Sequence, residues 1–164
     1  MAIMSGMPSS EKMLFHEFLE KGQRFCAYRD RSKKEVADKL AQLGAASQIL
    51  DNVLRSLEKE GFIDEERFAK SFARGKFEYN RWGKQRIRQE LILKKVPRKM
   101  IELALEQIDE SQYLQELEKI ALRKFQGLKG HDKFTAIGKT AEHCIRRGFE
   151  ADLAWDIANK LNNK

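Results

Sequence analysis

Proline, cysteine, tryptophan and histidine are scarce in this chain, at two, two, two and three residues out of 164, and each scarcity removes a class of protein. So few prolines leave room for uninterrupted helices. Cys26 and Cys144 are far apart and form no CxxC pair, so neither a disulfide framework nor a zinc site is indicated, and both read as buried thiols of a reducing compartment. No run of 18 apolar residues exists, and residues 1–10 lack the apolar stretch of a signal peptide, which predicts a cytoplasmic protein without membrane contact. His16 and His131 have no companions, and His143 beside Cys144 cannot share a helix face with it. Phosphate-loop, G-x-S-x-G and H-E-x-x-H motifs are missing as well, so no enzyme class and no cofactor is suggested.

What the chain has in quantity is charge, 35% of its residues, on a background of Leu, Ala, Glu, Lys, Gln and Arg. These are helix formers, and the expected class is all-α. The net charge of +7 is not spread evenly: residues 64–99 hold 12 Lys and Arg against 5 Asp and Glu, whereas 1–63 net +1 and 100–164 net −1. An excess confined to one segment points to a partner with an acidic surface.

The second abundance is repetition. Shifted by 51, residues 32–57 lie on 83–108 without a gap: Val36 meets Ile87, Leu40 meets Leu91, Ala45 meets Val96, Ile49 meets Met100, Leu54 meets Leu105 and Leu57 meets Ile108. A fainter third copy follows at 53, pairing Leu91 with Cys144, Val96 with Phe149, Ile101 with Ala154 and Ile108 with Leu161. A further helical stretch precedes each pair, at 11–28, 64–79 and 110–125. Three tandem three-helix repeats therefore follow, at 11–63, 64–109 (basic) and 110–164, behind a flexible tail at 1–10.

Helix-end residues agree with this division. Ser32 and Glu35 make a capping box, Gly44, Gly61 and Gly148 suit left-handed helix ends, Ser47 can cap the third helix, and Pro97 fits the first turn of the sixth. Asp64, Glu65 and Glu66 could be imagined as nuclease metal ligands, but a helix start explains them without chemistry.

At 100° per residue, Arg67, Lys70, Arg74 and, if the helix extends so far, Arg81 project on one side of the fourth helix, and Phe68, Phe72 and Tyr79 on a core side. Lys84, Arg86 and Arg88 follow on the fifth. Between them, Tyr79, Asn80, Arg81, Trp82 and Gly83 interleave aromatic and basic residues, as a phosphate-gripping, base-stacking surface would. The plainer reading is that Trp82 seals the junction and the charges form a solvated face.

Taken in order, several short stretches resemble the RecX family of regulators of the RecA recombinase. They are Tyr28-Arg29-Asp30-Arg31-Ser32 with Glu35-Val36 and Lys39-Leu40; Leu57-Glu58 with Gly61-Phe62-Ile63-Asp64-Glu65 and Arg67-Phe68-Ala69; Gly83 with Arg86-Ile87 and Glu90-Leu91; and Arg146-Arg147-Gly148-Phe149. The likeness runs from about Phe25 to Leu161. Two departures stand out: Lys95 precedes Val96 where the family commonly has glycine, and Lys84 replaces a proline after Gly83.

The resemblance implies an elongated, curved stack of repeats lying in the groove of the RecA–DNA filament, acting as an inhibitor of ATP hydrolysis and strand exchange in recombination, DNA repair and the SOS response. ATP would belong to RecA. The expected contact residues are Arg67, Lys70, Arg74, Lys76, Arg81, Trp82, Lys84, Arg86 and Arg88, extended by Arg24, Arg29 and Arg31 along the first repeat. The partner set is thus the RecA filament, with single- or double-stranded DNA as an additional contact, for a monomeric protein. The alternative is a direct, non-sequence-specific nucleic-acid-binding module, because the helix pairs at 32–60 and 83–108 resemble helix-turn-helix units. Neither second helix opens with a base-reading cluster; Ser47-Gln48 and Arg98-Lys99 are thin material for one.

Overall fold

The computed structural model describes residues 4–163, and within them the chain folds into nine α-helices. They are α1 (Ser9–Tyr28), α2 (Lys33–Gln42), α3 (Ser47–Lys59), α4 (Glu65–Glu78), α5 (Lys84–Leu93), α6 (Arg98–Glu106), α7 (Glu110–Gln126), α8 (Lys133–Arg146) and α9 (Ala151–Asn162). Each packs chiefly on the two others of its triplet. α1 begins at Ser9, inside the stretch expected as a tail, and Met4 packs against the first core; residues 1–3 of that stretch lie outside the described residues.

The helix ends follow local chemistry. The Ser32 hydroxyl accepts from the Glu35 N–H while the Glu35 carboxylate accepts from the Ser32 N–H, completing the capping box. Asp64, Asp109 and Asp132 each accept from the N–H three residues on, satisfying a first-turn donor that has no intrahelical partner. Two expectations are corrected. Ser47 is the first helical residue of α3, not its cap; Ala46 holds the cap position with no side-chain bond. Pro97 is likewise the cap of α6 rather than a first-turn residue.

The repeat is spatial as well as sequential. Val36, Leu40, Ile87, Leu91 and Cys144 are all completely buried, and Gly44, Lys95 and Gly148 occupy the same turn with φ of 100°, 57° and 102°. Lysine thus sits where the other two repeats place glycine, in a left-handed conformation that costs a Cβ-bearing residue roughly 1 kcal/mol. The match is imperfect at the third helices: Ile49 is buried, but its counterpart Met100 is half exposed, and Ile101 takes the core position.

The core is divided unequally. Phe15, Phe18, Val36, Leu40, Val53 and Leu57 build a self-contained core for the first triplet, while the second and third share a larger one, beside a small separate cluster of Ile137, Ala141 and Ala158 in the third. α4 is rolled from the expected orientation. Its buried line is Phe68, Ala69, Ala73 and Phe77, with Phe72 at the margin and Tyr79 85% exposed rather than core-facing. Ala69 and Ala73 are completely buried while Phe72 is only partly so, and the buried line of α4, which packs on α6, therefore runs through the two alanines rather than through Phe72.

The second and third triplets meet where two glycines cross. A Cβ on Gly83 would lie 2.2 Å from the Gly148 carbonyl carbon and the Phe149 nitrogen, and one on Gly148 would lie 2.3 Å from the Arg86 Cβ. This approach lets Gly83 N–H donate to the Arg147 carbonyl (2.9 Å) and Gln85 N–H to the Gly148 carbonyl (2.9 Å). Lys84 N–H between them donates to the Tyr113 hydroxyl (3.0 Å), which itself donates to the Glu150 carboxylate (2.6 Å). The first turn of α5 is therefore capped by the next triplet. Phe77, Tyr113 and Phe149 continue the contact, with ring centres 5.7 and 5.1 Å apart.

The first and second triplets are joined by ions instead. Arg67 reaches Asp30 (2.8 Å) and the Gly61 carbonyl (3.2 Å), and Lys94 approaches Glu35 (3.9 Å). Burial alone would raise the Glu35 carboxyl, but the Ser32 N–H, the Arg29 hydrogen bond and the Lys94 charge outweigh it and hold Glu35 below its ordinary 4.5.

Gly83→Ala should cost about 2–3 kcal/mol, because backbone rather than a flexible side chain must move. Gly75→Ala, mid-helix with nothing near the new methyl, should instead add about 0.5–1 kcal/mol; denaturant melts of the two variants check both signs. A depressed folded-state value means that the stability due to Glu35 is complete above 4.5 and is lost as pH falls through that lower value. Glu35→Gln should flatten the fall of Tm between about pH 5 and 3, as read from melts across that range.

Candidate functional site

α4 places Arg67, Lys70 and Arg74 along one shallow groove, as the helical spacing requires, but Asp30, Asp64 and Glu66 line it too. Arg67 is held by Asp30, and Lys70 pairs with Glu66 at 2.7 Å. Arg74 is exposed and makes only a 3.4 Å contact to the Gln107 amide oxygen. The expected basic face is thus mixed in sign, and Arg74 is its free cation.

The α4–α5 connection gathers the next group around Trp82. The indole is half-buried against the shared core, and the main-chain N–H of Trp82 donates to the Lys76 carbonyl (3.0 Å). The Lys76 ammonium lies 4.7 Å and the Arg86 guanidinium 4.0 Å from the ring centre. The ring holds both cations at the surface by cation–π attraction, and among the described residues no carboxylate is paired to either. Trp82 is thereby a packing residue that also positions charge.

The remaining cations of this segment are engaged within the fold. Arg81 pairs with Glu116 (2.9 Å), and Lys84 with Glu110 (3.2 Å) while lying over the Tyr113 ring. Arg88 forms a two-pronged contact with Glu102 at 2.9 and 3.2 Å, a geometry that holds the Arg88 guanidinium above and the Glu102 carboxyl below their ordinary values. Along the first triplet, Arg24 pairs with Glu20 and Arg29 with Glu35, while Arg31 donates to the Phe25 carbonyl and stacks on its ring at 3.9 Å.

The sequence-predicted set therefore separates. Lys76 and Arg86 are brought together on the Trp82 ring, Arg74 lies in the α4 groove with only the Gln107 contact, and among the described residues none of the three has a carboxylate in ion-pair contact; the others are paired or belong to the first triplet. Sequence reasoning passed over Arg123, Lys124 and Arg147, which join Arg81 around a single crevice. Their signal was hidden because residues 100–164 net to −1, and only the Arg146-Arg147 pair hinted at a local excess. Asp64 spends its carboxylate on the Arg67 N–H, as a helix cap does.

Three packed helical triplets define a tandem three-helix repeat protein. Its first triplet matches the family model for the first three-helix domain of RecX over residues 19–57, and its second matches that for the second three-helix domain over 64–105. Regulatory protein RecX of Halorhodospira halophila is 35% identical over 129 residues, covering 79% of this chain and 78% of that protein. The chain belongs to the RecX family, a regulatory rather than an enzymatic one. RecX of Oceanobacillus iheyensis is 28% identical over 138 residues, 84% of this chain, which spans about half (51%) of that relative's length. The crystal structure of RecX from Lactobacillus salivarius shares the fold with a TM-score of 0.83 at 19% identity, over 92% of this chain and 97% of that one. Among the described residues no helix is long and apolar enough to cross a membrane.

Proposed function

We propose that the chain is a modulator, mainly an inhibitor, of the RecA recombinase: it binds in the groove of the RecA–DNA filament and restrains ATP hydrolysis and strand exchange. Membership of a regulatory family supports the class of activity, and one structural observation carries the contact. Among the described residues no carboxylate pairs with Arg74, Lys76 or Arg86 of the middle triplet, and the last two are fixed on the Trp82 ring. Cations already held by an ordered ring lose less freedom on meeting an acidic surface than flexible ones do. Tandem triplets suit a periodic partner, because an extended repeat surface can touch adjacent subunits. ATP belongs to the recombinase in this reading, and the chain works as a monomer that needs no cofactor.

Direct nucleic-acid binding is the competing arrangement. Arg98 and Lys99 open α6 in exposed positions, but Ser47 and Gln48 of α3 add no charge, so the two helix-turn-helix-like pairs do not present a common basic reading helix.

RecA's DNA-dependent ATPase should slow when the chain is added. The triple variant Arg74→Glu, Lys76→Glu, Arg86→Glu should need about ten-fold more protein for the same inhibition, with helical content retained. Equal inhibition by the triple variant would remove this face as the contact, and naked DNA bound as tightly as RecA-coated DNA would favour the direct module.

A further inference from the structure

The two joints of the stack occupy the same places in the repeat but are built differently. In the 51- and 53-residue registers Ser32 stands where Gly83 does, Glu35 where Arg86 does, and Lys94 and Lys95 where Arg147 and Gly148 do. Asp30, two residues before Ser32, corresponds to Arg81, two before Gly83. The ion pairs keep this correspondence with their signs exchanged. Arg81 reaches forward to Glu116 of α7 at the second joint (2.9 Å), and Asp30 to Arg67 of α4 at the first (2.8 Å).

The backbone does not keep it. At the second joint Gly83 and Gln85 donate to main-chain oxygens of the third triplet, and Arg147 returns a bond to the Asn80 carbonyl (2.8 Å). Among the described residues no main-chain hydrogen bond crosses the first joint. Two local features account for the difference. The capping box supplies the Ser32 and Glu35 N–H groups from within the start of α2, so these donors need nothing from the next triplet. A Cβ on Gly148 would lie 2.3 Å from the Arg86 Cβ, so the first joint, with Lys95 and Glu35 in those places, cannot repeat that approach.

Apolar contact does not replace it, because the buried side chains of the first triplet form their own core and none joins the core that the other two share. What holds the first triplet in place is charge. Among the described residues Arg67 on Asp30 and Lys94 near Glu35 are the ion pairs that cross the joint, and the Arg67 and Asp30 side chains are 46% and 36% exposed. Glu65 of α4 lies near Lys33 and Glu58, one of each sign, and burial raises its carboxyl above the ordinary value, so it adds no net attraction. Ile63 is buried in the first core and Glu65 is the first residue of α4, which leaves Asp64, in extended backbone, as the link. A shallow groove of about 500 Å³, lined by Asp30 on one side and by Glu66, Arg67, Lys70 and Arg74 on the other, runs along the joint.

We propose that the first triplet is an arm that swings about Asp64, latched in the present arrangement by Arg67 on Asp30 and Lys94 on Glu35. Salt releases the latch, and so does an acidic surface that takes the two cations from their carboxylates. Release unfolds neither body, because each keeps its own core. The latch belongs to the free chain and operates whichever acidic partner the chain meets.

The test is double electron–electron resonance on the whole chain with nitroxides on introduced cysteines; Cys26 and Cys144 are buried and stay unlabelled. Gln48→Cys on α3 with Gln126→Cys on α7 spans the first joint, and Lys99→Cys on α6 with Gln126→Cys spans only the second. At about 20 mM salt both distance distributions should be narrow; at about 0.5 M, where exposed pairs are screened, the first should widen about two-fold and the second stay as it was. Asp30→Asn with Lys94→Gln, which leaves the capping box intact, should widen the first at low salt, with helical content by circular dichroism unchanged. Poly-glutamate added at the same low ionic strength should widen it in the parent chain. An unchanged first distribution in high salt and in the variant would overturn the proposal, making this joint as rigid as the second. Equal widening of both pairs would overturn it by placing the motion elsewhere, and widening with loss of helix would overturn it as local unfolding. Widening by salt but not by poly-glutamate would overturn release by an acidic surface.

Discussion

The close crossing of Gly83 and Gly148 is the contact on which the relation of the second and third triplets rests. A methyl on Gly83 would stand 2.2 Å from main chain, which leaves no space for any side chain there, and that closeness converts the first turn of α5 into a set of donors for the following triplet. Three consecutive N–H groups, at Gly83, Lys84 and Gln85, find oxygens there, so a helix start without a capping side chain has most of its free donors supplied. The Tyr113 hydroxyl is the middle link. Burial and its bond to Glu150 push its pKa up, so it stays protonated and can donate to Glu150 while accepting from Lys84.

From this joint follow both the continuous core of the last two triplets and the gathering of charge around them. The first triplet, joined through Arg67 and Lys94 to Asp30 and Glu35, has a different kind of seam. Exposed ion pairs contribute little each and weaken with salt, whereas a backbone crossing under a shared apolar core is nearly insensitive to it. The two seams thus differ in kind, one a backbone crossing under shared apolar side chains and the other a set of exposed ion pairs.

Much of the molecule was legible in its residues. Nine helices in threes, the capping box, the glycine turns and the 51- and 53-residue registers all rest on local periodicity, and local periodicity is what a helical repeat has. What escaped was the roll of α4. Spacing alone put Phe68, Phe72 and Tyr79 on one face, but the buried line runs through Phe68, Ala69, Ala73 and Phe77 and leaves Tyr79 in solvent. Large rings mark a helix as amphipathic without saying which part of its apolar arc lies closest to a neighbour.

Charge shows the same boundary more sharply. The excess in residues 64–99 could be counted, and its class of partner inferred, because net charge is additive along a chain. Which of those charges remain available could not be counted, because pairing is a matter of contacts between residues far apart in sequence: Glu116 takes Arg81, Glu110 takes Lys84, Glu102 takes Arg88, and the Trp82 ring takes Lys76 and Arg86. By itself the sequence determined the helices, their repeat and the family, each written in short-range pattern. Only the tertiary structure decided which cations face outward and where they converge, since that depends on how closely two glycines let the triplets approach.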